Sequence, residues 1–207
     1  MSTLQFPLPE RTTTSTGNVV VDGPLADLPA GRALVPARAY TGTDEFALEQ
    51  ERIFSSGWVW AGYAHWVAEP GAVHPVTIGG KPLLLVHGED GQIRVFHNSC
   101  RHRGMALTEE PVVVQGRIQC AYHCWSFKLD GTLAAAPYYT RERRSKLDPE
   151  VAKRLSLLLV ASHTWAGMIF IDLSATETDP QACADSFTEH LRPLLSRWSH
   201  IDFTRLH

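Results

Sequence analysis

A mainly β fold built from small antiparallel sheets is what this sequence of 207 residues predicts. Three observations point there. Short runs rich in Val, Ile, Leu and aromatic residues recur between residues 58 and 173, with the length and composition of strands. Turn residues separate them, notably Gly79-Gly80, Glu89-Asp90-Gly91 and Asp130-Gly131. Helical periodicity shows only on the two flanks.

Taken in order, residues 1–38 are rich in Thr, Ser, Pro and Gly, including Thr12-Thr13-Thr14-Ser15-Thr16-Gly17. Such a segment buries little and reads as an extended arm. A helix fits residues 44–54, with Thr43 as its cap and Phe46, Ile53 and Phe54 on one face. Strands are expected over 58–63, then over 73–78 and 82–87 about the Gly79-Gly80 hairpin, and over 92–96. Two more, 117–119 and 125–129, flank a short Cys/His loop. A basic irregular stretch follows (Arg141, Arg143, Arg144, Lys146), then strands over 155–160 and 166–173. Asp179-Pro180 enters a last helix, Asp capping and Pro in the first turn. Cys183, Phe187, Leu191, Leu194, Leu195 and Trp198 share its spacing, and Pro193 is expected to kink or split it. The chain thus divides into an arm (1–38), a β domain (39–173) and the start of a further domain (174–207).

At 44% hydrophobic content the chain can bury the core of one or two domains. Lys and Arg total 19 against 22 Asp and Glu, a net charge of −3. That balance offers no basic face to nucleic acid or anionic membrane. No run approaches the ~18 apolar residues of a membrane span, and the N-terminus lacks a basic head before an apolar run. A cytoplasmic protein is expected, with Cys124 and Cys183 left as thiols.

The chemistry concentrates in four residues. Cys100 and His102 lie in Cys100-Arg101-His102-Arg103-Gly104, and Cys120 and His123 in Cys120-Ala121-Tyr122-His123-Cys124-Trp125. Two thiolates and two imidazoles on a pair of short loops are the ligand set of a Rieske [2Fe–2S] cluster, in which two Cys hold one iron and two His the other. Zinc also accepts two Cys and two His, although its usual pattern pairs Cys with Cys and His with His. Chance proximity of core residues is the third reading.

With Met105 after the first loop and Ser126-Phe127 after the second, these motifs resemble the Rieske domain of the large, α-type subunits of ring-hydroxylating non-haem iron oxygenases. Leu34-Val35-Pro36-Ala37-Arg38-Ala39-Tyr40 and the Glu49…Trp58 lead-in are similar to the same family, so the likeness runs over residues 34–207. It implies a Rieske-type antiparallel β-sandwich with a short N-terminal helix and a C-terminal helical segment that begins a truncated α+β catalytic domain. It also implies ligation by Cys100, His102, Cys120 and His123, a ferredoxin or flavin reductase as electron donor, and a catalytic domain or neighbouring subunit as acceptor. A full-length homotrimer follows from the same likeness. Respiratory Rieske proteins carry an extra Cys in each loop and a hydroxyl two residues after the second His. Met105, Tyr122 and Trp125 stand there, so no disulfide clamps the loops. With fewer donors to the sulfurs, the potential is expected near the low end of the Rieske range, about −150 mV. Cys124 occupies a position that is Gly in the family. An ordinary backbone is therefore expected there, with the thiol as a small apolar filler.

Family members also hold a mononuclear non-haem Fe(II) through a His-x4-5-His pair and a distant Asp. His190, His200 and His207 with Asp202 do not match that spacing. The catalytic iron is thus expected outside these 207 residues, in a continuation or another chain. A stand-alone Rieske-type ferredoxin and a zinc-stabilised interaction module are the competing functions. Among lesser features, Arg101 and Arg103 are candidates for partner docking or plain solvation. Trp58, Trp60 and Trp66 read as core in preference to an electron relay, and His97 as a strand-end residue.

Overall fold

The computed structural model describes residues 38–139 and 147–197. The arm predicted for 1–38 (save its last residue), the basic stretch 141–146, Trp198, His200, Asp202 and His207 lie outside them. The chain forms two units, residues 1–48 and 49–207.

In the first unit the described elements are Arg38–Thr41 (α1) and Thr43–Glu49 (α2), the latter reaching one residue past the boundary. Thr43 is the first helical residue and not the cap; Gly42 O accepts from Phe46 N–H at 3.1 Å. The winding then widens to a π-helix over Gln50–Phe54. That change breaks the 3.6-residue register on which an apolar face was predicted. Phe46, Ile53 and Phe54 are accordingly all exposed.

The second unit carries the strands Trp58–Tyr63 (β1), Ala72–Ile78 (β2), Lys81–His87 (β3), Ile93–His97 (β4), Val112–Val113 (β5), Arg117–Gln119 (β6), Ser126–Lys128 (β7), Leu133–Ala135 (β8), Leu159–Trp165 (β9) and Met168–Asp172 (β10). They form a seven-stranded sheet in the order β1-β10-β9-β4-β3-β2-β5 and a three-stranded sheet β6-β7-β8. Every pairing is antiparallel. Gly79 and Gly80 both take positive φ (57° and 70°), the backbone that a two-residue hairpin turn requires.

One predicted strand is displaced and another starts later than expected, each for a local reason. Pro149–Arg154 is a helix (α3) whose cap, Asp148, accepts from Glu150 N–H (2.9 Å) and Val151 N–H (3.2 Å). The Asp-Pro signal read at 179–180 stands equally at 148–149. β9 therefore begins at Leu159, and residues predicted as strand from 155 only link the two. β10 begins at Met168 because Ala166 and Gly167 form the hairpin turn, both at positive φ. β5 and β8 are too short to show a period.

Strand β3 explains how the core is divided. Successive side chains on a strand point to opposite faces. Leu83 and Leu85 enter one cluster with Val67, Val95, Ile169 and Ile171. Leu84 and Val86 enter a second with Phe96, Trp125, Phe127, Cys100 and Cys120. The second cluster packs the Cys/His loops against a sheet buried on both faces, a stiff base. Gly131 is held there by space: a Cβ would meet the Phe96 ring at 2.5 Å.

The last helix, Pro180–Arg197 (α4), is entered as predicted, with Asp179 accepting from Gln181 and Ala182 N–H at 3.0 Å each. It is not split: Pro193 lies on the exposed side and costs a hydrogen bond without ending the helix. Its buried Phe187 packs on Phe170 (4.8 Å), His163 (5.1 Å) and Trp58 (5.3 Å). Of the predicted core tryptophans, Trp60 is exposed and meets Tyr63 and Trp66 edge to face. Among the described residues no helix is long and apolar enough to cross a membrane.

Three histidines give the fold a pH dependence of known sign. Burial depresses His74, His97 and His163, with Lys81 adding to the effect at His97. The unfolded chain takes up these protons near pH 6.5, before the folded one does. The stabilisation is therefore complete above that pH and is lost as pH falls through the folded values. The urea midpoint should drop between pH 8 and pH 5.5, and His163→Gln should remove part of that drop.

Candidate metal centre

Both Cys/His loops are built on one backbone device. In the first, Cys100 N–H donates to Met105 O (2.8 Å) and Gly104 N–H to Cys100 O (2.8 Å). In the second, Cys120 N–H donates to Trp125 O (2.8 Å) and Cys124 N–H to Cys120 O (3.0 Å). Each loop thus curls back on its own Cys, with left-handed backbone at the fifth residue: φ is 75° at Gly104 and 58° at Cys124. The His sits two residues after the Cys in one loop and three after it in the other. A common frame therefore presents the imidazoles differently.

This corrects the expectation for Cys124. The loop keeps the glycine-type conformation, and a Cβ is carried at a cost of about 1–2 kcal/mol. The filler reading fails as well, since Cys124 is exposed. Cys124→Gly should raise stability by about 0.5–1 kcal/mol, seen as a higher urea midpoint with unchanged metal content. A lower midpoint would contradict the strain argument.

The four candidate donors meet as two pairs. Cys100 and Cys120 are buried and free, and both belong to the same core cluster. Burial pushes the Cys100 thiol up, and the Cys120 side chain adds to the rise. The rings of His102 and His123 lie 4.6 Å apart at 74°. Burial holds His102 below the usual imidazole range, helped by His123 and Arg103, which favours the neutral ring that a metal requires. His102 Nδ1 is buried with no hydrogen-bond partner among the described residues. Such a nitrogen is costly unless something accepts its lone pair. A thiol pair beside an imidazole pair, with one imidazole nitrogen orphaned, fits a [2Fe–2S] cage with two-plus-two ligation. Among the described residues no three Cys, His, Asp or Glu side chains group as a mononuclear site requires.

Residues that touch no metal brace the loops, and they carry little signal in the sequence. Asn98, buried at the end of the Leu-rich sheet, donates from Nδ2 to Thr108 O (2.7 Å) and accepts from Leu107 N–H (2.7 Å) on Oδ1. It closes the first loop like a clasp. A polar residue following an apolar strand was its only signal. Trp125, noted in the sequence only for lacking a hydroxyl, is buried and stacks on His102 at 4.8 Å and 9°. Tyr122 covers His123 at 3.8 Å.

The other candidates play smaller parts. Met105 and Tyr122 are exposed beside the loops, and no disulfide clamp is possible there. His97 is the strand-end residue of β4, as predicted. Arg101 Nη2 donates weakly to Arg154 O (3.4 Å), while Arg103 is exposed. His190 is exposed on α4.

The chain resembles known proteins over most of its length. The family model described as "Rieske [2Fe-2S] domain" matches residues 57–154. The oxygenase subunit of carnitine monooxygenase from Escherichia coli (strain K12) is 33% identical over 144 residues, 70% of this chain and 37% of that protein. Benzene 1,2-dioxygenase subunit alpha from Pseudomonas putida is 33% identical over 155 residues, 75% of this chain and 33% of that one. The chain thus spans about a third of the length of these relatives. Among solved structures, a quaternary ammonium Rieske monooxygenase, whose report describes inter-subunit electron transfer, superposes with a TM-score of 0.59 at 27% identity over 78% of this chain and 42% of that one. Naphthalene 1,2-dioxygenase from Rhodococcus sp. gives 0.60 at 26% identity over 70% of this chain and 32% of its own. The β unit is therefore a Rieske [2Fe–2S] domain, homologous to the electron-transfer part of Rieske oxygenase α subunits.

Proposed function

We propose that Cys100 and Cys120 hold one iron of the cluster and His102 and His123 the other, and that the domain carries electrons from a ferredoxin or flavin reductase to a mononuclear iron outside these residues. The orphaned Nδ1 of His102 carries this assignment. When bound, such a cluster supplies a one-electron couple. The protein supplies the rest. Burial of Cys100 and Cys120 keeps water from the thiolates. The Cys100, Cys120, Gly104 and Cys124 amides are spent within the loops and fix the donor positions. Partly exposed His102 and His123 present the imidazole pair outward, beside exposed Met105 and Tyr122, on a face open to a partner.

Delivery to a neighbouring subunit of a trimer is the arrangement favoured here, since inter-subunit transfer is described for the quaternary ammonium relative. The β domain is taken as residues 39–173, with 174–207 leading toward the acceptor domain. Anaerobic purification followed by iron and acid-labile sulfide assays tests the centre. About two irons and two sulfides per chain are expected. A colourless protein holding only zinc would end the proposal.

A further inference from the structure

Three buried side-chain polar atoms lack a hydrogen-bond partner among the described residues: Arg101 Nε, His102 Nδ1 and Trp125 Nε1. All three belong to the two Cys/His loops. Ligation of iron accounts for His102 Nδ1. It does not account for Trp125 Nε1, which is a donor and never a ligand. Buried N–H groups are nearly always paired in folded proteins, and leaving one unpaired costs about 1–3 kcal/mol.

The surroundings of Trp125 narrow its partner. The residue is buried, its carbonyl accepts from Cys120 N–H at 2.8 Å, and its indole lies parallel to the His102 ring at 4.8 Å. Both ends of the residue are thus fixed against groups that hold the metal centre. We propose that Trp125 Nε1–H donates a hydrogen bond to an inorganic sulfide of the cluster, since the Cys100 and Cys120 sulfurs do not serve it. This rests on the cluster reading given above. It revises the expectation drawn from the missing hydroxyl at this position, because the indole puts a donor back there. A donor to sulfur favours the reduced, more negative state and raises the potential.

The test uses the cluster-loaded chain. Trp125 is replaced by 3-benzothienylalanine, which keeps the bicyclic stack and exchanges N–H for sulfur, and in parallel by Phe (W125F). Loss of the donor is expected to lower the reduced-to-oxidised ratio at a fixed solution potential about tenfold, a shift of about 59 mV for one electron. Independently of any variant, the reduced protein carrying 15N-indole tryptophan should show a hyperfine-coupled, exchangeable indole proton by electron–nuclear double resonance. A loaded protein with no such coupling and an unshifted potential in the benzothienyl variant overturns the inference and leaves the cluster standing. A protein that takes up neither iron nor sulfide overturns both.

Discussion

Cys100→Ser is expected to strip the protein of its iron, lowering iron and acid-labile sulfide at least about tenfold and removing the visible colour. A hydroxyl is a far harder and less acidic donor than a thiol, and iron–sulfur clusters are held by thiolates. The loss should reach the fold as well. Cys100 and Cys120 lie inside the core cluster that contains Trp125 and Phe127, and the free energy of metal binding is part of the free energy of folding. A lower melting temperature should therefore accompany the lost colour. Two other thiols serve as controls. Cys183 is also buried, but in α4, where its Sγ donates to Glu177 O at 3.8 Å. Cys124 is exposed on the second loop. Cys183→Ala and Cys124→Ser should both keep full iron content. If Cys124→Ser lost iron while Cys100→Ser kept it, the ligand assignment would be wrong.

How much of this was readable beforehand depends on whether the signal was local. β1 was placed to the residue as an apolar run after Gly57, and β6 because only three residues separate Gly116 from the Cys120 loop. The glycine hairpin at 79–80 was equally plain. α3 was legible in Asp148-Pro149 but was overlooked beside the basic residues preceding it. The four donors stood out because their types and spacing are rare. The shape of the loops that hold them did not. Cys124 in left-handed backbone and the repeated curl in both loops are enforced by hydrogen bonds across each loop, which no single residue advertises. Burial on α2 failed for the opposite reason: a regular apolar spacing was real, and the π-helical turn after it broke the register. Asn98 is the clearest omission. Its importance lies in partners about ten residues away, Leu107 and Thr108.

Asn98→Leu, which keeps the side-chain volume and removes every polar contact, is expected to cost about 3 kcal/mol and to speed cluster loss. The amide of Asn98 serves a buried donor and a part-buried acceptor together, Leu107 N–H and Thr108 O, each at 2.7 Å. Those partners also fix its orientation, since the N–H needs the oxygen and the carbonyl needs the nitrogen. Removing the amide strands both groups, at about 1–3 kcal/mol each where water cannot reach. Asn98→Asp separates the two halves of the clasp. Its carboxylate still accepts from Leu107 N–H but faces Thr108 O without a donor, and should protonate to recover one. The Asp variant should therefore approach wild type at low pH and fall toward the Leu variant as pH rises through its raised pKa. That trend runs opposite to the histidine-driven acid weakening of the parent, so the two are separable. Urea unfolding supplies the stability, and iron release to a chelator supplies the kinetic reading. Release about a hundredfold faster would correspond to loop opening made easier by about 2.8 kcal/mol. Unchanged release in Asn98→Leu, with stability within about 0.5 kcal/mol of the parent, would show that the first loop is held by its Cys100 and Gly104 backbone bonds alone.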